Sequence, residues 1–213
     1  MIGLKKLKKD IIYQIIYYCK HENTITDNIN CVFYGPPGCG KTSIAYLFGK
    51  LFLKLGHLKN DNFVVGTLEN MVASYVGQTA PKTKKLIDSA RGGVLFIDEA
   101  YQFGSSSDGN RDSFSKQAID TINQDITANP GSMMYIVAGY KDNVKKDFFA
   151  QNPGLERRFP WVYTIDQYSP DELYKIFCLQ CKEEKYILKF NHINSCFFEK
   201  NKDYFNYAGG DTR

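Results

Sequence analysis

Eight consecutive residues, Gly35-Pro36-Pro37-Gly38-Cys39-Gly40-Lys41-Thr42, constrain this chain more than any other feature. They follow a short apolar run, Cys31–Tyr34, and open a stretch, 43–55, whose apolar residues recur at helical spacing. A strand that turns into a helix through such glycines is the context in which the G-x-x-x-x-G-K-[ST] pattern carries chemistry. The glycines let backbone N–H groups turn inward without Cβ clashes, and the helix amino end adds its positive dipole to an anion held there. The expected ligand is a nucleotide phosphate group. Gly35, Pro36, Pro37, Gly38, Cys39 and Gly40 would wrap it, with Ser43 behind them on the helix. Lys41 would reach the β/γ-phosphates and the Thr42 hydroxyl would hold Mg²⁺.

The rest of the chain alternates in the same rhythm. Apolar runs at Cys31–Tyr34, 63–65, Val94–Ile97, 134–137 and 161–165 suit strands, the first four buried on both faces. Helical patterns fall at 41–55, 82–91, 114–127 and 142–150. This order predicts an α/β fold, a parallel five-stranded sheet in a three-layer sandwich. Ser169-Pro170-Asp171-Glu172 predicts a helix start, with Ser at the N-cap, Pro first and acids in the first turn. No strand pattern returns after it. The expected organisation is a nucleotide-binding domain over 1–168 and a small helical lid over 169–213.

A second motif indicates what happens to the nucleotide. Val94-Leu95-Phe96-Ile97 ends in Asp98-Glu99. A carboxylate at that strand tip, Asp98, would hold Mg²⁺ directly or through water. Glu99 points elsewhere and could polarise a water for attack on phosphorus. A phosphate-transferring kinase must exclude such a water, so the pair favours hydrolysis.

Composition sets limits on partners. Hydrophobic residues make up 43% and charged residues 23% of the 213, which excludes a disordered chain. The net charge of +4 is too mild to argue for nucleic acid. No apolar run approaches the roughly 20 residues of a bilayer-crossing helix. Residues 1–20 carry Leu4, Leu7, Ile11, Ile15 and Tyr18 at helical spacing, interrupted by Asp10 and Gln14, without a small-residue cleavage site. An amphipathic helix on a cytoplasmic protein is expected, and the six cysteines fit that compartment as thiols. Cys178 and Cys181 read as two thiols on one helix. His21, His57 and His192 have no partner at ligand spacing and read as surface or packing residues.

With these residues in view, the chain resembles the AAA+ ATPases, and among them the CbbX / stage V sporulation protein K branch. The likeness rests on the phosphate loop, on Phe96-Ile97-Asp98-Glu99-Ala100-Tyr101, on Ala138-Gly139-Tyr140-Lys141-Asp142 and on 152–159. It runs from Ile2-Gly3-Leu4, similar to an adenine-flanking segment, to Gly210-Asp211-Thr212-Arg213. The resemblance implies ATP and Mg²⁺ as cofactors, Lys41 and Glu99 as catalytic groups, and Gly3 beside the base. It implies a homo-oligomeric, usually hexameric ring that remodels a protein client. Tyr75-Val76-Gly77 would be a pore loop gripping that client. Arg158, with Arg157 as second candidate, would be the finger that reaches a neighbour's γ-phosphate, and Arg213 the lid's sensor.

Three departures from the family pattern stand out, one of them Gln117, which stands where the branch often has Glu. Tyr140 occupies the place of a small polar sensor 1, so its role is open and Asn143 is an alternative. The chain also stops where a last lid helix would begin, as in a truncated polypeptide or a fragment. Two other functions use the same loop. A nucleic-acid loader would want a basic stripe with interleaved aromatics. The runs Lys5-Lys6, Lys8-Lys9 and Lys82, Lys84, Lys85 instead alternate with apolar residues like solvated helix faces. A non-hydrolysing ATP-binding scaffold is the other alternative. No guanine-reading Asn-Lys-x-Asp motif exists in the chain.

Overall fold

The computed structural model describes residues 2–20, 29–104, 109–186 and 195–201. In chain order the elements are α1 (Lys5–Lys20), β1 (Cys31–Tyr34), α2 (Lys41–Lys54), β2 (Phe63–Gly66), α3 (Leu68–Met71), α4 (Thr79–Ser89) and β3 (Val94–Ile97). After a 3-10 turn, Ala100–Gly104, come α5 (Gly109–Ala128), β4 (Met134–Gly139) and α6 (Lys141–Asn143). β5 (Trp161–Thr164), α7 (Pro170–Glu183) and α8 (Ser195–Lys200) complete the described chain.

The strands form one parallel sheet in the order β2-β3-β4-β1-β5. Side chains alternate across it, as a period of two requires. Cys31, Phe33, Phe96, Ile136 and Tyr163 face a core shared with α1, α2 and α7. Val32, Tyr34, Leu95, Ile97 and Val137 face the other, shared with α4 and α5. Helices on both faces make the expected three-layer α/β sandwich. Among the described residues no helix is long and apolar enough to cross a membrane.

Several local expectations need correction. β2 is an edge strand, only half-buried, with Val65 36% exposed. Three consecutive apolar residues concealed this, because an edge is defined by the missing neighbour and not by the strand itself. The expected helix at 142–150 is α6, then a π turn over Val144–Phe148 and a 3-10 turn over Phe149–Gln151. Gly104, the first residue of the polar run Gly104-Ser105-Ser106-Ser107-Asp108-Gly109, closes the 3-10 turn. A Cβ there would come within 2.4 Å of Asp147, which the turn approaches closely. Residues 105–108 of that run lie outside the described residues, and Gly109 opens α5.

The amino-terminal helix forms with Leu7, Ile11 and Tyr18 inward, as its spacing indicates. Gln14, read as an interruption, is also fully buried. Its side-chain oxygen accepts the Tyr163 hydroxyl from β5 inside the core, while its Nε2 has no hydrogen-bond partner among the described residues. After residue 168 the described elements are helical only. α7 begins with the full reciprocal cap: the Ser169 hydroxyl accepts from the Glu172 N–H, while the Glu172 carboxylate accepts from the Ser169 N–H at 2.8 Å. Cys178 and Cys181 sit on α7 as half-buried free thiols.

Candidate functional site

All strands end at one edge of the sheet, and the loops that leave this edge meet there. Gly35 donates its N–H to the Gly139 carbonyl at 3.2 Å, and Ile165 donates to Tyr34 at 2.7 Å. The turn after β1 is thereby tied to the ends of β4 and β5. Gly38 and Gly40 adopt left-handed backbone at φ of 72° and 83°, where a side chain would be strained. A Cβ on Gly35 would lie 3.0 Å from both the Cys39 sulfur and the Ile165 carbonyl. The loop therefore curls over a space that only glycine leaves open. Cys39 is buried beneath it, and burial pushes its thiol up from the ordinary value.

Gly40 caps α2 with no side-chain hydrogen bond, so the first N–H groups of α2 face the loop without a side-chain partner. The Lys41 ammonium bends back to donate to the Pro36 carbonyl at 2.7 Å and the Gly35 carbonyl at 3.2 Å. Its remaining donor, the N–H groups and the helix dipole make a cradle for a polyanion. Ser43 is exposed on the first turn of α2.

Asp98 reaches this cradle from β3, although β4 lies between β3 and β1. Its N–H is held by the Gly66 carbonyl at 3.0 Å. Burial pushes its carboxyl up from the usual range. The Glu99 N–H, the Lys41 charge and a hydrogen bond from Thr42 oppose that rise. Thr42 and Asp98 thus present hard oxygens side by side. Among the described residues no group of three or more His, Cys, Asp or Glu could hold a metal by itself. One hydroxyl and one carboxylate suit Mg²⁺, which takes few protein ligands and completes its shell with phosphate oxygens and water.

Glu99 sits one residue on in left-handed backbone, φ 47°, with its side chain exposed. Two groups hold it that sequence reasoning missed. Gln102 donates its amide N–H to the carboxylate across the 3-10 turn. Tyr101 is hydrogen-bonded to Glu99 as well, and burial together with the nearby carboxylate pushes its phenol up from the ordinary value. The Tyr101 ring packs on Tyr140, centroids 5.8 Å apart. The absent Cβ of Gly139 makes room for it, since a Cβ there would meet that ring at 3.2 Å. Tyr140 thus packs on the tyrosine that lies beside Glu99. Asn143 is exposed on α6, and among the described residues its side chain makes no hydrogen bond with Glu99.

The amino-terminal turn and the start of α7 border the loop. Tyr168 donates its hydroxyl to the Cys39 carbonyl at 3.1 Å, and burial pushes this phenol up to about 12, so it stays a neutral donor. Gly3, at φ 61°, abuts the first turn of α7, where a Cβ would meet the Glu172 carboxylate at 2.4 Å. Tyr75 and Val76 are 71% and 87% exposed on the loop between α3 and α4, with Gly77 at φ 79° beside them. Arg157 and Arg158 lie on a 3-10 turn just before β5, at the opposite edge of the sheet from the phosphate loop. Arg213 lies outside the described residues.

Residues 31–150 match the model of the AAA family, "ATPase family associated with various cellular activities". The chain is 39% identical over 213 residues to a cfxQ-like protein of Acanthamoeba polyphaga mimivirus, covering 99% of this chain and 52% of that one. It is 37% identical over 154 residues to the chloroplastic ribulose bisphosphate carboxylase/oxygenase activase of Cyanidioschyzon merolae, covering 72% of this chain and 52% of that one. The chain spans about half the length of both relatives. Among solved structures, the FIGL-1 AAA domain in complex with ADP superposes with a TM-score of 0.67 over the whole chain and 68% of its own, at 19% identity. That likeness is one of fold.

Proposed function

The chain belongs to the AAA family of ATPases, in its CbbX-like branch, and from this premise we propose that it binds ATP with Mg²⁺ and hydrolyses it to remodel a protein client as part of a hexameric ring. The observation that carries the reading is the convergence of Lys41, Thr42 and Asp98 at one sheet edge, with Glu99 held beside them. In this reading the α2 amino end and Lys41 bind and orient the triphosphate. Thr42 and Asp98 would hold Mg²⁺, which would draw charge from the phosphate oxygens. Glu99 accepts a proton from the attacking water, and Gln102 and Tyr101 keep its carboxylate in place. Gly3 and the start of α7 would flank the base, the lid beginning at 169, with Arg213 as its sensor.

Arg158 supports the ring on a distance argument. It precedes β5, whereas the phosphate loop follows β1, so the length of a four-residue strand, roughly 13 Å, separates them. A guanidinium placed so serves a neighbour's site better than its own. Tyr75, Val76 and Gly77 leave the sheet on the phosphate side and would grip the client. The activase relative's name suggests a protein substrate for this branch. Steady-state ATPase titrated in protein concentration tests the reading. Specific activity that rises with concentration, and falls in Arg158→Ala, is expected; flat activity would remove Arg158 from the site.

A further inference from the structure

Asn30 is a buried polar residue that the chemistry described so far does not use. It is 3% exposed and stands immediately before β1, five residues upstream of Gly35. Both ends of its amide are engaged. The oxygen accepts the Tyr135 N–H at 2.9 Å, and the NH₂ donates to the Arg158 carbonyl at 3.1 Å. The first bond is easily understood. The β1–β4 ladder starts at Cys31 and Ile136, so the Tyr135 N–H lies beyond it and needs another acceptor.

The second bond spans 128 residues and fastens the turn that carries Arg158. That turn is a single 3-10 turn, Glu156–Arg158, closed by Arg158 N–H to Leu155 and Phe159 N–H to Glu156. Leu155 and Phe159, both buried, pin its two sides. Its backbone is therefore fixed at three places. The guanidinium is the reverse: Arg158 makes no ion pair among the described residues, and its buried Nε has no hydrogen-bond partner. A fixed backbone under a guanidinium that makes no ion pair among the described residues is an arrangement suited to presenting that group outside its own chain.

We propose that Asn30 is a positioning residue for Arg158: its amide locks the finger turn to β1 and β4, so that the guanidinium is presented to a neighbouring subunit's nucleotide. The inference rests on the reading of Arg158 as a trans-acting arginine. Misplacement of such a group by about 1 Å can cost about 10²-fold in rate, so loss of the Asn30 clamp appears as loss of turnover in the neighbour, not in the subunit that carries the change.

Mixing full-length chains tests this. Asn30→Ala is the main variant. Asn30→Asp, of the same shape, keeps the acceptor for Tyr135 and sets an oxygen against the Arg158 carbonyl; it serves if the alanine variant does not fold. Each is mixed with Glu99→Gln, which has a dead site and an intact finger, and Arg158→Ala is the benchmark. The expected result is that the Asn30 variant binds Mg·ATP within about twofold of wild type by calorimetry. Alone it turns over at least about tenfold slower, and added Glu99→Gln chains restore its rate as they restore that of Arg158→Ala. A wild-type rate for the Asn30 variant alone overturns the proposal. So does a slow Asn30 variant that Glu99→Gln fails to restore while Arg158→Ala is restored. If Arg158→Ala itself is not restored, the trans reading fails, and the role of Asn30 fails with it.

Discussion

The Thr42 hydroxyl lies close enough to the Asp98 carboxylate to favour its charged form, although β4 lies between β1 and β3. Thr42 comes from the first turn of α2, which follows β1, and Asp98 from the tip of β3, both at the carboxyl end of the sheet. The two side chains bridge the width of an intervening strand because both loops turn toward the same point. Their contact brings a hydroxyl and a carboxylate to one place beside the Lys41 ammonium, and the chemistry of the site depends on it.

Replacing Glu99 by glutamine separates binding from turnover. The amide keeps the size and the contact with Gln102 but cannot take a proton. Turnover is expected to fall roughly 10²–10⁴-fold, with Mg·ATP affinity close to wild type. Paired ATPase and calorimetric measurements check this, and an unchanged hydrolysis rate would dismiss Glu99 as the base.

Tyr101→Phe isolates one hydrogen bond. The phenyl ring keeps its packing on Tyr140 and beside Gly139, while the bond with Glu99 is lost. A single bond to a charged group contributes about 1.5 kcal/mol, so kcat should drop about tenfold with KM unchanged. A change confined to KM would mean that Tyr101 acts on substrate and not through Glu99.

These two residues also show what could be read in advance and what could not. The phosphate loop was legible because eight adjacent residues carry all of its chemistry, and the strand and helix around it follow from local periodicity. Asp98 and Glu99 were legible from an apolar run ending in acids. Tyr101 and Gln102 were visible as letters, but only a 3-10 turn at Ala100–Gly104 swings them back onto Glu99. Gln14 and Asn30 were hidden for a related reason. A polar residue reads as exposed until its partner is known, and Tyr163 and Arg158 lie 149 and 128 residues away. The Ser169–Glu172 cap was the opposite case, because a capping box needs only four neighbouring residues.

Asp125 anchors a polar network at the amino-terminal edge of the sheet and governs acid stability. It accepts from Arg91 at 2.8 and 2.9 Å, from Asn129 at 3.0 Å and from the Tyr135 hydroxyl at 2.6 Å. Burial alone would raise its carboxyl, but these hydrogen bonds bring it below the ordinary carboxylate value. A depressed acid stabilises the fold fully above the unfolded pKa, about 3.9, and loses that contribution as pH falls through the folded value. Asp125→Ala should therefore cost about 3 kcal/mol at pH 7 by urea unfolding. The gap from wild type should narrow below about pH 4. A gap independent of pH would show that packing, not charge, is lost.

Tyr75→Ala tests the exposed loop. The side chain is 71% exposed, so stability should shift by no more than about 0.5 kcal/mol. The increment in ATPase produced by a bound protein client should disappear. A client-stimulated increment equal to wild type would exclude Tyr75 from the grip.

Isothermal titration of the intact chain with ATP, in the presence and absence of Mg²⁺, tests the central claim most directly, with Lys41→Ala and Asp98→Asn alongside. The expected result is one nucleotide per chain, bound tightly only with Mg²⁺, with loss of binding in Lys41→Ala and loss of the Mg²⁺ dependence in Asp98→Asn. Absence of nucleotide uptake by the wild-type chain, or uptake indifferent to both Mg²⁺ and Asp98, would contradict the site assigned to Lys41, Thr42 and Asp98.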